Sequence, residues 1–341
     1  MFMRYIIMVT IAAIGIVGSM FPAYAQEHSI TAQDLDSHSW RIEQEDKIWV
    51  PLDKADEVWE YLYNKYVVDP QGAKNLDPLF TTYHYDEQFA DTYFDTPDLK
   101  LLSMQSGVRH RRRVNLTNPD DPKSGREAMQ VKLNNISDKA LERGEIKFDI
   151  EYPRKLKHPD DNHAMLGIVQ DNDRQEFKQV LTSLDLDPYS MQPVLTVHDF
   201  RRRIYFAHES FSEHGTAFLS ISFDNASANM WWATTKFVEI EPELSEIEFT
   251  MADDKTKKYM EDILQEISDD LYQQFPYLER NLTPKYNKSF NFLEEKLPFF
   301  ELLIKTRMNN VEGMLISLLV VFGVVFGGGY LGIQKIRQKK N

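Results

Sequence analysis

Short runs of alternating apolar and polar positions recur from residue 40 to residue 250, separated by turn-forming residues. The first is Trp40–Val50, bounded by Pro51, and others follow at Gly107–Arg113, Ala128–Asn134 and Gly144–Glu151. The last are Val194–Phe206, Leu219–Asp224 and Lys236–Glu241. A period of two predicts strands, because successive side chains of a strand point to opposite faces. Asn118-Pro119-Asp120-Asp121-Pro122-Lys123-Ser124-Gly125 predicts a hairpin between the second and third of these runs. Three other segments change period. Ala55, Val58, Trp59, Leu62, Tyr63 and Tyr66 recur at helical spacing between Asp53 and Val67, with Asp53 as the expected cap. Phe177, Val180, Leu181 and Leu184 do the same over 174–184, and Met260, Ile263, Ile267 and Leu271 over 254–275. The mixture predicts an α+β fold with helices packed outside a barrel or sheet.

The polar half of each strand carries the chemistry. Glu43, Glu45 and Lys47 share one strand face, and two carboxylates beside an ammonium suit a hard divalent cation bound next to an anion. Arg109, Arg111 and Arg113 share another face, with His110 pointing the other way. The chain as a whole is acidic, with a formal net charge of −14. Cations gathered on particular strands of an acidic chain indicate a focused site for a polyanion. Cysteine is absent, which excludes disulfides and thiolate chemistry. No Gly-rich phosphate loop, G-x-S-x-G elbow or H-E-x-x-H helix is present, and nothing indicates a nucleic-acid interface. His158-Pro159-Asp160-Asp161-Asn162-His163 reads as a solvated loop rather than a metal site.

In this order the segments resemble the triphosphate tunnel metalloenzymes, the CYTH-like superfamily, and among them most closely the VTC (vacuolar transporter chaperone) branch. The resemblance spans residues 40–290. It rests on Glu43, Glu45 and Lys47, on Tyr93 and Asp95, on Arg109 and Arg111, and on Lys132 in the next basic strand. Phe200 and Arg202 stand at the branch's Tyr-x-Arg, Asp224 closes a strand, and Glu239 takes a later acidic position. Pro284-Lys285-Tyr286 matches its terminal Ser-Lys-Tyr with proline for serine. Ser220 and Glu241 also depart, standing where an arginine and a lysine are expected. The resemblance implies an eight-stranded antiparallel β-barrel enclosing a tunnel. Arg109, Arg111, Lys132, Arg202 and Lys285 would hold phosphate, with Lys47 beside the metal. Glu43, Glu45, Glu239 and Glu145 would hold Mg²⁺ or Mn²⁺, with Glu43, Glu45 and Lys47 forming the catalytic set.

The ends add expectations of location. Residues 1–25 read as a signal peptide ending at Ala23-Tyr24-Ala25, and 26–39 as a polar leader. Residues 291–312 read as a juxtamembrane segment with an interfacial apolar face, 313–334 as a transmembrane helix and 335–341 as a basic cytoplasmic tail. The globular part is thus expected outside the cytoplasm, with Gly323 and Gly327 able to pair two spans as a homodimer. The expected activity is metal-dependent hydrolysis of tripolyphosphate, polyphosphate or a nucleoside triphosphate. Polyphosphate polymerisation and non-enzymatic polyanion binding are the alternatives.

Overall fold

The computed structural model describes residues 40–120, 124–134, 142–150, 160, 163–209, 217–297 and 299–309. Its centre is one antiparallel sheet of 10 strands in the order β1-β6-β5-β4-β3-β7-β8-β9-β2-β10. In chain order these are β1 (Arg41–Gln44), β2 (Ile48–Val50), β3 (Phe80–Asp95), β4 (Gly107–Asn115) and β5 (Glu127–Leu133). They continue as β6 (Glu142–Asp149), β7 (Gln192–His208), β8 (Leu219–Met230), β9 (Ala233–Leu244) and β10 (Glu279–Arg280). The expected hairpin lies between β4 and β5, where Gly125 takes a left-handed φ of 75° that a side chain would resist.

The helices are α1 (Ala55–Tyr63), α2 (Pro70–Leu76), α3 (Lys100–Ser103) and α4 (Asp171–Ser183). After the last long strand come α5 (Glu246–Met251), α6 (Asp254–Gln274), α7 (Lys285–Lys296) and α8 (Phe300–Asn309). The three helices expected from periodicity are present as α1, α4 and α6, but Asp53 is not a cap. It lies in a 3₁₀ turn over Leu52–Lys54, and no side chain caps α1. Strand parity divides the core. Two apolar clusters lie on the convex face of the sheet, Val58, Ile204, Phe206, Ile221 and Ile267 under α1 and α6 and Val131, Phe148, Phe177 and Val180 under α4; a third, Leu195, Phe237, Phe290 and Phe300, lies on the lumen face, where α7 and α8 fill one end.

Two expectations are corrected. The sheet is a curled half-barrel, not a closed eight-stranded barrel. Its ladders run from β1 to β10 without closing, and the two ends approach through the isolated bridge Glu45↔Glu243 and the Asp46 N–H donating to the Pro242 carbonyl at 3.0 Å. The cause is local: β1 stops at Gln44, and the chain crosses through Glu45, Asp46 and Lys47 to pair as β2 on the far side. The C-terminal transmembrane helix is likewise unsupported. Among the described residues no helix is long and apolar enough to cross a membrane, the longest being the amphipathic α6. Residues 1–39 and 310–341, which hold the expected leader, span, tail and Gly323/Gly327 pair, lie outside the described residues. In the segment expected to lie along a membrane, Leu293, Leu297, Phe300 and Ile304 are instead buried against the sheet.

Candidate active site

The concave face of the sheet collects the polar half of each strand. Arg109 and Arg111 of β4, Gln130 and Lys132 of β5, and Arg143 and Glu145 of β6 point into it by parity. From the other side come Glu43 of β1, Arg201 and Arg203 of β7, and Glu241 and Glu243 of β9, with Glu45 and Lys47 at the crossing. They line a cavity of about 220 Å³. Few of these charges reach solvent: Glu43, Glu45, Lys47, Arg109, Arg143, Glu145, Arg201 and Glu241 are all buried.

Burial forces each charge to find a partner. Asp91 of β3 takes Arg111 Nε at 2.7 Å and Nη2 at 2.6 Å, and Arg109 Nη1 at 3.0 Å. Burial alone would raise its pKa, but the two guanidiniums outweigh that and hold Asp91 well below the usual carboxylate range. Arg109 also donates to Gln130 at 2.7 Å, and Arg111 lies over the Phe89 ring at 4.4 Å. Lys132 donates to both Glu43 oxygens at 2.7 Å. Even so, burial, followed by the Glu145 charge, pushes Glu43 well up. Glu45 has Lys47 at 3.3 Å and Arg143 at 3.2 Å, and Lys47 also pairs with Glu241. Glu243 is raised, first by burial and then by Glu45.

One end of the lumen is filled by α7. Its first residue, Lys285, reaches Asp199 at 3.0 Å, Glu239 at 3.3 Å and Glu241 at 3.4 Å, and also pairs with Asp224. Arg201 clamps Asp224 through both guanidinium arms and meets Glu241 at 2.7 Å. Lys288, one turn on, donates to Glu239 at 2.5 Å. Burial opposes charge on Glu241, yet Lys285, Lys47 and Arg201 hold it well below normal. Asp199, by contrast, is pushed up to about 7 by burial and by its neighbour Asp224. Tyr286 anchors the helix. Its ring stacks on Tyr93 at 4.9 Å, and its hydroxyl donates to Asp95 at 3.0 Å, a carboxyl that burial pushes up to about 6.

Of the residues singled out in the sequence, Glu43, Glu45, Lys47, Arg109, Arg111, Lys132, Glu145 and Lys285 line the one cavity. His110 points away from it and meets Glu127 at 2.6 Å. Two placements differ from expectation. Arg202 stands on the convex face, over the rings of Trp59 at 4.4 Å and Phe223 at 4.7 Å, and its neighbours Arg201 and Arg203 take the lumen. Glu239 lies behind the cavity with Lys285 and Lys288 rather than beside Glu43. Among the described residues, the carboxylates close enough to share an ion form two sets, Glu43/Glu243/Glu246 and Asp224/Glu239/Glu241, with ligand oxygens within 4.8 Å in each. Neither set contains Glu45 or Glu145. Asp91, Arg143, Arg201, Glu243 and Lys288 were not foreseen. For Arg201 a signal existed: Asp199, Arg201 and Arg203 alternate with Phe200, Ile204 and Phe206, whose apolar parity marks the packed side.

Against known proteins, the family model described as "CYTH domain" matches residues 65–270. No curated protein matches. Among solved structures, a Bacillus halodurans protein provisionally assigned as an adenylate cyclase aligns at 15% identity. The alignment covers 69% of this chain and 98% of that one, with a TM-score of 0.38. HpAC1 from Hippeastrum, an adenylyl cyclase candidate described with a dominant triphosphatase activity, aligns at 16% identity, covering 66% and 87%, with a TM-score of 0.32. The S. pombe RNA triphosphatase Pct1 aligns at 10% identity, covering 68% and 82%, with a TM-score of 0.33. At such scores these likenesses add no weight, and the assignment rests on the family model.

Proposed function

The chain belongs to the CYTH domain family, of the triphosphate tunnel metalloenzymes, and we propose that it binds the phosphate chain of a tri- or polyphosphate in this lumen and hydrolyses a phosphoanhydride bond. The match does not specify the VTC branch. One observation carries the reading: strands distant in sequence turn arginines and lysines of an acidic chain toward a single buried cavity. Four of them, Arg109, Arg111, Lys132 and Arg203, line it and could exchange carboxylate partners for phosphate oxygens. Arginine's planar fork suits that exchange because it engages two phosphate oxygens at once.

The residues fit a divalent cation. Hard cations take carboxylate oxygens, and Glu43, Glu243 and Glu246 offer three that line the cavity. The second set is less suitable, because of its three carboxylates Glu241 lines the cavity while Asp224 and Glu239 lie behind it. A bound Mg²⁺ or Mn²⁺ would offset charge on the transferring phosphoryl group. The chain's own residues hold the phosphates, orient the scissile bond and exclude bulk water. Phosphoryl transfer is mainly positioning and charge stabilisation, so no nucleophilic side chain is needed.

The test is phosphate release from tripolyphosphate by the purified protein. Release should require Mg²⁺ or Mn²⁺, stop with EDTA, and fall about ten- to hundredfold in Glu43→Gln and Glu243→Gln. Saturable tripolyphosphate binding with no metal-dependent release would overturn hydrolysis and leave a binding module.

A further inference from the structure

The β8–β9 hairpin turns through Trp231 and Trp232 alone, since Met230 and Ala233 still pair. Two-residue hairpin loops need a positive φ at the first central position, which favours glycine, asparagine or aspartate. Here that position is Trp231, with a φ of 51°. A bulky side chain on left-handed backbone costs free energy, and such strain persists where a function uses it. Burial of the rings does not offset the cost, because Trp231 is 49% exposed and Trp232 67%. The two indoles stack on each other at 6.0 Å, and Trp231 meets the Phe300 ring edge-on at 6.3 Å. Directly before Phe300 stands Phe299, also left-handed at a φ of 66° and 57% exposed. Leu302 of α8 is exposed as well.

The described chain stops at this same end of the sheet. Val197 pairs with Ala228, so the start of β7 lies beside the turn. Helix α8 runs from Phe300 at the turn to that start, where Gln192 Nε2 donates to the Met308 carbonyl and Arg307 to the Pro193 carbonyl, each at 2.8 Å. Beyond Asn309 the sequence carries no charge from Met314 to Ile333. The exposed rings and the apolar stretch are thus tied to one end of the fold, and a single apolar partner can meet both. Tryptophan suits a bilayer surface in particular, because its flat ring enters the edge of the acyl layer while its N–H finds acceptors among the headgroups. Charges on α7 and α8 near the rings are mixed, Lys296 and Lys305 against Glu295 and Glu301, so the attraction is apolar rather than electrostatic.

We propose that the Trp231–Trp232 turn, with Phe299 and Leu302 beside it, docks the folded domain on a lipid bilayer surface. The rings sit at the headgroup layer, so the contact needs no membrane-crossing helix, and it is independent of what the lumen binds. The test is tryptophan emission of the full-length protein mixed with phosphatidylcholine vesicles, plain or brominated in the acyl chains. Parent emission should shift to the blue on plain vesicles and be quenched on brominated ones. Trp231→Phe/Trp232→Phe leaves Trp40, Trp49 and Trp59 as the only reporters and should lose both signals. Trp231→Gly should weaken the quenching with Tm at or above the parent's, since glycine accepts the turn without strain. An unquenched parent, or equal quenching in the double variant, would overturn the docking. So would a lower Tm in Trp231→Gly, which would assign the ring to the fold. A blue shift that grows with protein concentration and ignores lipid would assign the rings to a second copy of the chain and overturn it too.

Discussion

Arg111 and Arg202 make a matched pair: each guanidinium lies 4.4 Å over an aromatic ring, but on opposite faces of the sheet. Arg111→Ala should remove charge-assisted hydrogen bonds to phosphate worth about 1.5–3 kcal/mol, weakening tripolyphosphate by about one to two decades. Arg202→Ala should leave that affinity within about twofold and cost roughly 1 kcal/mol of stability through the lost stacking. Titration calorimetry and denaturant melts read both, and equal affinity losses would return the arginines to a flat basic surface. Asp91 supplies a pH test. Its folded pKa is depressed by Arg109 and Arg111, so its contribution is complete above the unfolded pKa of about 3.9 and is lost as pH falls below it. The stability gap between the parent and Asp91→Asn should therefore be widest near neutrality and narrow on acidification below about pH 4. A gap independent of pH would mean that Asp91 is not held ionised by its arginines.

Helix α7 is the element on which site and core depend together. Its start supplies Lys285, Tyr286 and Lys288 to the lumen, and Phe290 and Leu293 bury its later turns against β7–β9. Sequence periodicity makes this segment amphipathic and predicts that its apolar face lies along a membrane interface. The sheet, through Leu195 and Phe237, provides the partner. Phe290→Ala should cost about 3–5 kcal/mol, the usual penalty for emptying a packed aromatic site. Asp253 is a useful contrast. Its side chain caps α6 by accepting from the Thr256 N–H at 2.8 Å, so Asp253→Ala should cost only about 1 kcal/mol. A Phe290→Ala loss no larger than that of Asp253→Ala would show that α7 is not held by the core.

At the scale of the whole molecule, two apolar clusters lie outside the curl, and inside it a neutralised charge lattice is closed at one end by the apolar cluster under α7 and α8. On the proposed function, the lumen's paired cations exchange carboxylates for phosphates. A ligand that binds only the folded lumen must stabilise the fold. Tripolyphosphate at a hundred times its Kd should add about 2.7 kcal/mol, visible as a raised Tm in the presence of Mg²⁺. An unchanged Tm at saturating anion would exclude a lumen site.

The sequence by itself marked β4 to β9 and, as one run, β1 and β2, but missed β3 and β10; it also showed which helices turn an apolar stripe inward and that cations and carboxylates gather on particular strand faces. Those features are local, written in periods of 2 and 3.6 residues. Parity was already decided wherever charged and apolar residues alternate, as at Glu43, Glu45, Arg109 and Arg111. At Arg201-Arg202-Arg203 cations occupy both parities, and the signal lies in the flanking apolar residues: Ile204 and Phe206, buried under α1 and α6, share the parity of Arg202 and leave Arg201 and Arg203 to the lumen. Which carboxylates meet was decided by tertiary structure alone. Asp91 is set against Arg109 and Arg111 by the β3–β4 register, and Glu43 meets Glu243 because the curled sheet brings its two ends together. Such pairings join residues far apart in the chain, and no local period encodes them.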